Sequence, residues 1–371
     1  MRSVESVDVM CSDRKVGILS CFQTNRTAFE YDTQWLRNGF SISPFSLPLS
    51  EKVFFSEREP FDGMFGVFDD CLPDGWGKLI LDRWLRKEEM DPASVNPISR
   101  LTLLSDDSFG LLSFIPRLWN EKPFASAFSI DELHERIRQI ESDPSLEWTR
   151  LDDYAKEGGS SGGARPKVNI LIDDDLYMVK FPLHNDPPGV GRMEYSYAEA
   201  ASKCGISMAE HRLLGSGYFA SLRFDRNPRV HMLSLAALLE TSHRNPVLDY
   251  YQVFQSVSIL TRSNAEMEEC FRRMAFNVLA RNNDDHAKNF LFIFDEASMK
   301  WKLSPAFDLT RSDTYFGERS TTVNGKGKNI TDDDMLSYCI PFHLDANKMK
   351  EIIDRIRSVT EGDLAEYLAR N

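Results

Sequence analysis

The stretch ARNNDDHAKNF, Ala280 to Phe290, places two adjacent carboxylates among asparagines, a histidine and a lysine. It follows a predicted helix that begins at a Ser263-x-x-Glu266 capping box and carries an apolar stripe up to Leu279. It leads into a predicted strand, FLFIF, Phe290 to Phe294. A solvated connection is the alternative interpretation, but a polar loop fixed at both ends by apolar elements favours a functional loop.

The spacing within this stretch is typical of phosphoryl transfer. Asp284 and Asn289 stand five apart, as do the aspartate and asparagine of the protein-kinase catalytic loop. Asp308 follows a second predicted strand, KWKLS, as the metal-binding aspartate of a kinase does. The chemistry requires a carboxylate to orient the attacking hydroxyl and oxygen ligands for Mg²⁺. A metal or hydrolase site at His286 is an alternative that lacks a second histidine at ligand spacing.

A glycine-rich segment, KEGGSSGGARPK (Lys156 to Lys167), runs directly into two predicted strands, KVNILID and LYMVKFP, joined by an acidic turn at Asp173–Asp175. A flexible linker is the alternative. Continuation into a hairpin favours a loop that covers a ligand. The segment is neither a Walker A motif nor G-x-G-x-x-G, which disfavours P-loop NTPases and dinucleotide-binding enzymes.

Lys180 is the predicted phosphate-binding lysine. It shares a strand face with Leu176 and Met178, so it is expected to point beneath the glycine-rich loop. The alternative is a lysine that extends to solvent. Glu194 and Glu199, on the next predicted helix, are both candidates to pair with it, and the sequence does not choose between them.

Length, net charge and cysteine content restrict the other classes of protein to which this chain can belong. A length of 371 residues predicts two or three folding units. A net charge of −13 gives the chain no general attraction for nucleic acid. The six cysteines show no C-x-x-C spacing, and we expect them to be reduced core residues. We find no signal peptide and no long apolar run, so we expect no membrane contact and a cytoplasmic location.

Residues 1–120 are predicted to be mixed α and β, and to form a structural or partner-binding module. KVGILSCF and AFEYD alternate in the manner of strands, and GLLSFIP (Gly110 to Pro116) is predicted to be a closing strand. LPDGWGKLILDRWLRKEE, which starts at Leu72, is predicted to be a helix with Asp74 as its N-cap.

Taken in order, SSGGARPK, MVKFP, RFDR, NNDDHAKNF and SPAFDLT resemble the HipA family of bacterial serine/threonine-protein kinases, the toxins of HipA/HipB toxin–antitoxin modules. FGVFDDCLPDGWGKLILDRWL and SFGLLSFIP resemble that family's N-terminal domain. The resemblance implies an α+β, protein-kinase-like two-lobed fold with an N-terminal α/β coupling domain (1–118), a kinase N-lobe (119–226) and a mostly helical C-lobe (227–371).

The resemblance also implies site roles. Asp284 would be catalytic, and Asn289 and Asp308 would bind Mg²⁺. The residues expected to contact ATP are Gly162, Gly163, Ala164, Arg165, Pro166, Lys167, Lys180, Leu222, Arg223, Phe224, His286, Lys288, Asn289 and Asp308. Ser160, or else Ser161, falls where the family is autophosphorylated. Added negative charge beside a phosphate-binding loop would disfavour ATP.

The implied partners are a HipB-like DNA-binding antitoxin, DNA only through that antitoxin, and a protein phosphorylated on Ser or Thr. The family's substrates include aminoacyl-tRNA synthetases, but the sequence names no target and no oligomeric state. Arg165 and Leu222 depart from the family pattern, which often has Gln in the phosphate loop and, in its best-known member, an acidic hinge residue. A small-molecule phosphotransferase and a non-catalytic antitoxin co-regulator remain open alternatives.

Overall fold

The computed structural model describes residues 3–23, 26–73, 75–104, 109–118, 129–142, 165–242, 244–245, 247–314 and 317–370. The chain divides into two compact units. The first contains residues 1–187, 214–233 and 237–241, and the second contains residues 188–213, 234–236 and 242–371. The boundaries that we predicted after residues 118 and 226 stay predictions.

The first unit opens with a five-stranded antiparallel sheet. Its strands are β1 (Ser6–Cys11), β2 (Arg14–Cys21), β3 (Thr27–Tyr31), β4 (Phe54–Phe55) and β5 (Leu112–Ile115), in the order β4-β3-β2-β1-β5. Alternate residues such as Val7, Val9 and Phe29 are buried, as the period of two in a half-buried strand requires. The strands predicted from KVGILSCF, AFEYD and GLLSFIP are confirmed.

Among the described residues of the first unit, the helices are α1 (Thr33–Asn38), α2 (Gly66–Asp69), α3 (Gly75–Lys87), α4 (Pro97–Leu101) and α5 (Ile130–Ser142), with a 3₁₀ turn at Pro92–Ser94. Asp32 and Asn96 cap α1 and α4 by accepting backbone N–H bonds of 2.7 Å each. The helix predicted after Leu72 is confirmed as α3. Its proposed N-cap, Asp74, lies outside the described residues.

The next strands are β6 (Lys167–Ile172), β7 (Asp175–Lys180), β8 (His211–Leu214) and β9 (Tyr218–Leu222), with β7 between β6 and β9. The predicted hairpin is confirmed, but its turn contains only two residues. Asp173 and Asp174 have φ values of 53° and 68°, while Asp175 already pairs with Ile172. A turn with two positive φ values matches the twist of the strands, so the third predicted turn residue becomes the first residue of β7.

The second unit is mostly helical. Its helices are α6 (Val190–Lys203), α8 (Tyr250–Thr261), α9 (Asn264–Leu279), α10 (Asp332–Leu336), α11 (Ala346–Asp363) and α12 (Ala365–Leu368). Strand β10 (His231–Ser234) and helix α7 (Leu235–Leu238) each contain residues of both units. Gly205, with φ of 80°, follows α6, and its N–H donates to Ser202 while that of Ile206 donates to Ala201. This is the Schellman ending that a glycine at C′ predicts.

Helix α9 carries the chain to the polar stretch. Ser263 accepts a hydrogen bond from the Glu266 N–H, but the predicted reciprocal half of the capping box is wrong. The Glu266 carboxylate instead accepts from the N–H of Leu303, at 3.0 Å. Within the predicted apolar stripe, Phe271 and Met274 are fully buried. The strands β11 (Leu291–Asp295) and β12 (Lys300–Leu303) then form the predicted hairpin.

The six cysteines are all unbridged, as expected, and five of them are buried. The prediction is wrong for Cys21, which ends β2 and is exposed. Among the described residues, no helix is both long and apolar enough to cross a membrane.

Candidate active site

The two adjacent aspartates of the loop between α9 and β11 differ in solvent exposure. The Asp284 side chain is 59% exposed, and its Oδ1 lies 3.9 Å from His286 Nε2. The next side chain, Asp285, is buried. The N–H of Lys288 donates to His286 Nδ1, at the start of a 3₁₀ turn formed by Ala287–Asn289. One carboxylate is therefore exposed to solvent, while its neighbour is buried.

Asn289 closes the loop onto Asp284. Its Nδ2 donates to the backbone carbonyl of Asp284, at 2.7 Å. Because this bond uses the amide nitrogen, the atom that Asn289 can offer to a cation is its carbonyl oxygen. The predicted spacing of five residues thus becomes a direct contact that fixes the Asp284 backbone relative to Asn289.

Asp285 lies at the centre of a buried hydrogen-bond network. Its Oδ2 accepts from Arg319 Nη2 at 2.6 Å and from the Tyr250 hydroxyl at 2.9 Å. Its Oδ1 accepts from the N–H of Thr321 at 3.2 Å. Burial raises the pKa of Asp285, and Arg319 is the first of the groups that oppose this rise. Networks of this kind hold a backbone in one conformation when every member is satisfied.

The segment after Asp308 binds to the same loop. The N–H of Ser320 donates to the Asn283 carbonyl at 2.8 Å, and Arg319 Nη2 donates to the Asn282 carbonyl at 3.2 Å. Loop 282–289 and this segment are therefore one hydrogen-bonded assembly. Our sequence reasoning missed Asp285 and Arg319, because nothing in the chain indicated which residue 34 positions away would pair with the second aspartate.

Asp308 has a left-handed backbone, with φ of 56°. This conformation is unfavourable for a residue other than glycine, and such outliers cluster at functional sites. Residues on both sides of Asp308 line one small cavity with loop 282–289, namely Phe307 and Leu309 together with Asn282, Asp285 and Asn289. The fold therefore brings the segment that carries Asp308 beside Asn289.

The donor set suits magnesium. Carboxylate and amide oxygens are its preferred protein ligands, and it commonly takes only one or two of them and completes its shell with water and phosphate oxygens. Asp308 and Asn289 offer such a pair. Among the described residues, no group of three or more His, Cys, Asp or Glu side chains is arranged to hold a metal.

In the first unit, two lysines stand directly opposite each other. Lys167 pairs with Lys180 in the β6–β7 register, so both side chains leave the same sheet face. Lys167 is only 4% exposed, and Lys180 Nζ lies 5.8 Å from the ring centre of Phe219. Opposed like charges destabilise a sheet unless an anion offsets them. Ser160, Ser161 and Gly162–Ala164 lie outside the described residues.

The predicted hinge, Leu222–Phe224, leaves β9 through a backbone bond from the Arg223 N–H to the Leu176 carbonyl, at 2.8 Å. The Arg223 guanidinium is buried and donates twice to the Asp225 carboxylate, at 2.8 Å each. Burial alone would raise the pKa of Asp225, but Arg223 is the first of the groups that lower it below its ordinary value. The side chain of Arg223 therefore anchors the connector.

The two glutamates of α6 differ in environment. Glu199 Oε1 lies 2.9 Å from His211 Nε2, and its side chain is 47% exposed. Glu194 is buried, with 4% exposure. Glu199 is thus engaged by a neighbour within its own unit, which the sequence did not indicate.

Comparison with known proteins places this chain in a family. Residues 159–362 match the HipA-like C-terminal domain, and residues 7–115 match the HipA N-terminal domain. The chain belongs to the HipA family. The first of these matches alone covers more than half of the 371 residues.

Individual relatives of this HipA-family chain are distant but extensive. The candidate kinase Y4dM of Sinorhizobium fredii is 23% identical over 397 aligned positions, covering 98% of this chain and 93% of that protein. The serine/threonine-protein kinase toxin HipA of Shewanella oneidensis is 23% identical over 351 positions, covering 84% of this chain and 76% of that one.

A solved structure supports the fold. In the complex of Shewanella oneidensis HipA, HipB and operator DNA, one chain matches this protein with a TM-score of 0.72 and 19% identity, covering 98% of this chain and 91% of the other. The predicted α+β, protein-kinase-like fold of the HipA type is confirmed.

Proposed function

We propose that this HipA-family chain is an ATP- and Mg²⁺-dependent protein serine/threonine kinase, and the toxin of a toxin–antitoxin module. The observation that carries the proposal is the exposed Asp284 carboxylate on a loop fixed by Asn289 and by the buried Asp285 network. A loop held in this way presents a base to a hydroxyl without reorganising, which is the main requirement of phosphoryl transfer.

Each site residue in the second unit has a role in this proposal. Asp284 orients the substrate hydroxyl and accepts its proton. Asn289 and Asp308 would hold Mg²⁺, which would neutralise charge on the phosphates. His286 and Lys288, on the same loop, contact the nucleotide. The left-handed backbone of Asp308 is a conformation that persists where the surrounding structure enforces it, as a fixed ligand position requires.

The first unit supplies the nucleotide contacts in this proposal. Lys180 and Lys167 bind phosphate oxygens, together with the loop residues Gly162–Pro166. Leu222–Phe224 contact the adenine. Because the Arg223 side chain is buried, this contact is made by the backbone. Glu194 is the remaining candidate to pair with Lys180, because Glu199 contacts His211.

Regulation acts through the glycine-rich loop and through a partner. Autophosphorylation of Ser160, or of Ser161, adds roughly −2 charge to the glycine-rich loop and weakens ATP binding. The related Shewanella oneidensis structure contains HipB and operator DNA. A HipB-like antitoxin is therefore the proposed partner, and a net charge of −13 suits DNA contact only through that basic protein. The proposed location is the cytoplasm.

The test uses purified protein with Mg²⁺ and γ-labelled ATP, alone and with a bacterial lysate, followed by phosphosite mass spectrometry. We expect label on Ser160 or Ser161 and on serine or threonine of a discrete lysate protein, with an aminoacyl-tRNA synthetase as the first comparison. Chelation of Mg²⁺ should abolish both. Label confined to small molecules would instead identify a small-molecule phosphotransferase. ATP binding without any transfer would identify a non-catalytic antitoxin partner.

A further inference from the structure

The sheet face that carries Lys180 is organised in rows across the strands. The hydrogen-bonding register defines three successive rows: Lys167, Lys180 and Phe219; then Asn169, Met178 and Ser221; then Leu176 with Arg223. Rows on one face of a sheet are about 7 Å apart, since two residues of strand separate them. The middle row therefore lies between the proposed phosphate lysines and the proposed adenine hinge.

Asn169 lies on this face and not in the apolar core. The intervening residues Val168 and Ile170 belong to a buried apolar cluster on the other side of the sheet. Asn169 is nevertheless only 8% exposed. Within the described part of the chain, its Nδ2 is fully buried and has no hydrogen-bond partner.

The orientation of the Asn169 amide is set by its neighbours. Its Oδ1 accepts from Arg223 Nη1 at 3.3 Å. A guanidinium can only donate, so the amide carbonyl must face Arg223 and the NH₂ group must point elsewhere. Arg223 is itself held by both oxygens of Asp225, which also accepts from the Gly110 N–H at 3.0 Å. A chain of hydrogen bonds from Gly110 through Asp225 and Arg223 thus fixes the orientation of the Asn169 NH₂ group.

A buried amide donor without an acceptor is costly, at about 1–3 kcal/mol, and native proteins rarely keep one without reason. A bound molecule that supplies the acceptor removes that cost. The unsatisfied donor belongs to the row between phosphate-binding and hinge residues, where the nucleoside of a bound nucleotide would lie.

We propose that Asn169 is a specificity-determining residue, whose Nδ2 donates a hydrogen bond to an acceptor on the nucleoside half of ATP, either a purine ring nitrogen or a ribose oxygen. The inference rests on the proposed function, because it needs a nucleotide on this face of the sheet. It assigns recognition of the nucleoside to Asn169, and leaves the phosphates to Lys167 and Lys180.

The test measures binding by isothermal titration calorimetry, without turnover, so that activity plays no part in the readout. The ligands are ADP and five analogues that each lack one acceptor: 1-deaza-, 3-deaza-, 7-deaza-, 2′-deoxy- and 3′-deoxy-ADP. Wild-type protein is compared with Asn169→Leu and with Asn169→Asp, which keeps an oxygen for Arg223 but has no donor. Asn347→Leu, at an exposed amide, is the control.

We expect one analogue to bind wild-type protein and Asn347→Leu about tenfold more weakly than ADP, and to bind both Asn169 variants as well as ADP does. The identity of that analogue names the acceptor. If every analogue-to-ADP ratio is the same in wild-type protein and in the Asn169 variants, the inference is wrong and the proposed function stands. If ADP and ATP do not bind wild-type protein at all, the proposed function fails as well. Thermal melting checks that each variant is folded. If Asn169→Leu does not fold, Asn169→Asp alone carries the test.

Discussion

Asp285 and Arg319 form an almost completely buried ion pair, with Arg319 Nη2 2.6 Å from Asp285 Oδ2 and exposed side-chain fractions of 1% and 2%. Asp285 directly follows Asp284, so this pair fixes the backbone beneath the proposed catalytic base. Burial by itself lowers the pKa of Arg319, but the adjacent Asp285 carboxylate raises it above its ordinary value, and the guanidinium stays charged.

Replacing Arg319 alone should lower the free energy of unfolding more than replacing both members of the pair. Arg319→Met leaves a buried carboxylate without its cation, and we expect it to lower the free energy of unfolding by about 3–5 kcal/mol. Adding Asp285→Asn should restore part of that loss, because the uncompensated charge is removed. Urea denaturation of both single variants and the double variant measures the coupling. Strictly additive losses would show that the pair does not act as a unit.

The two glutamates of α6 give a matched comparison. Glu194→Gln should raise the Kd for ATP and lower kcat, since the buried Glu194 is the remaining candidate to pair with Lys180. Glu199→Gln should leave both within about twofold, because Glu199 contacts His211 and is partly exposed. Nucleotide titration and initial rates of label transfer measure the two effects. A larger effect from Glu199→Gln would reverse the assignment.

Glu240 should make the first unit sensitive to pH. Its two carboxylate oxygens accept from the Gly66 N–H at 3.1 and 3.2 Å, and burial raises its pKa from 4.5 to about 7. A raised pKa in the folded state means that the stabilising contribution of Glu240 is fully present below pH 4.5 and is lost as the pH rises to about 7.

Glu240→Gln removes this titration and keeps an oxygen for Gly66. The unfolding free energy of the variant relative to wild type should therefore increase between pH 4.5 and 7, by about 3 kcal/mol, and level off above that. Chemical denaturation at a series of pH values measures the difference. A difference that does not change with pH would mean that Glu240 titrates normally.

Ser160→Ala should remove autophosphorylation of the glycine-rich loop and prolong transfer to other proteins, because the loop then keeps its affinity for ATP. Phosphopeptide mapping of wild type, Ser160→Ala and Ser161→Ala distinguishes the two serines. An unchanged phosphopeptide in Ser160→Ala, with loss in Ser161→Ala, would move the modification to Ser161.

The features predicted correctly from the sequence are local ones. The β6–β7 hairpin, helix α9 and the Gly205 ending of α6 each follow from periodicity or turn chemistry within a few residues. The spacing of Asp284 and Asn289 matches that of the protein-kinase catalytic loop, and in the structure the Asn289 side chain contacts the Asp284 backbone; the catalytic role of the loop stays a prediction.

The features that were missed depend on contacts between distant segments. Glu266 leaves its capping box because the N–H of Leu303, 37 residues away, needs an acceptor. The pairing of Asp285 with Arg319 and the orientation of Asn169 by Arg223 are likewise set by tertiary structure. A single sequence carries no local signal for such partners, because their spacing follows no secondary-structure period.

The most direct test of the central claim is the initial rate of phosphate transfer from γ-labelled ATP, with Mg²⁺, by wild type, Asp284→Asn and the control Asp354→Asn at an exposed helix position. Loss of a general base typically lowers such a rate by about 10²–10⁴-fold. We expect that loss for Asp284→Asn, with unchanged ATP binding and thermal stability, and a wild-type rate for Asp354→Asn. Transfer by Asp284→Asn at the wild-type rate would contradict the assignment of this loop as the catalytic loop of a kinase.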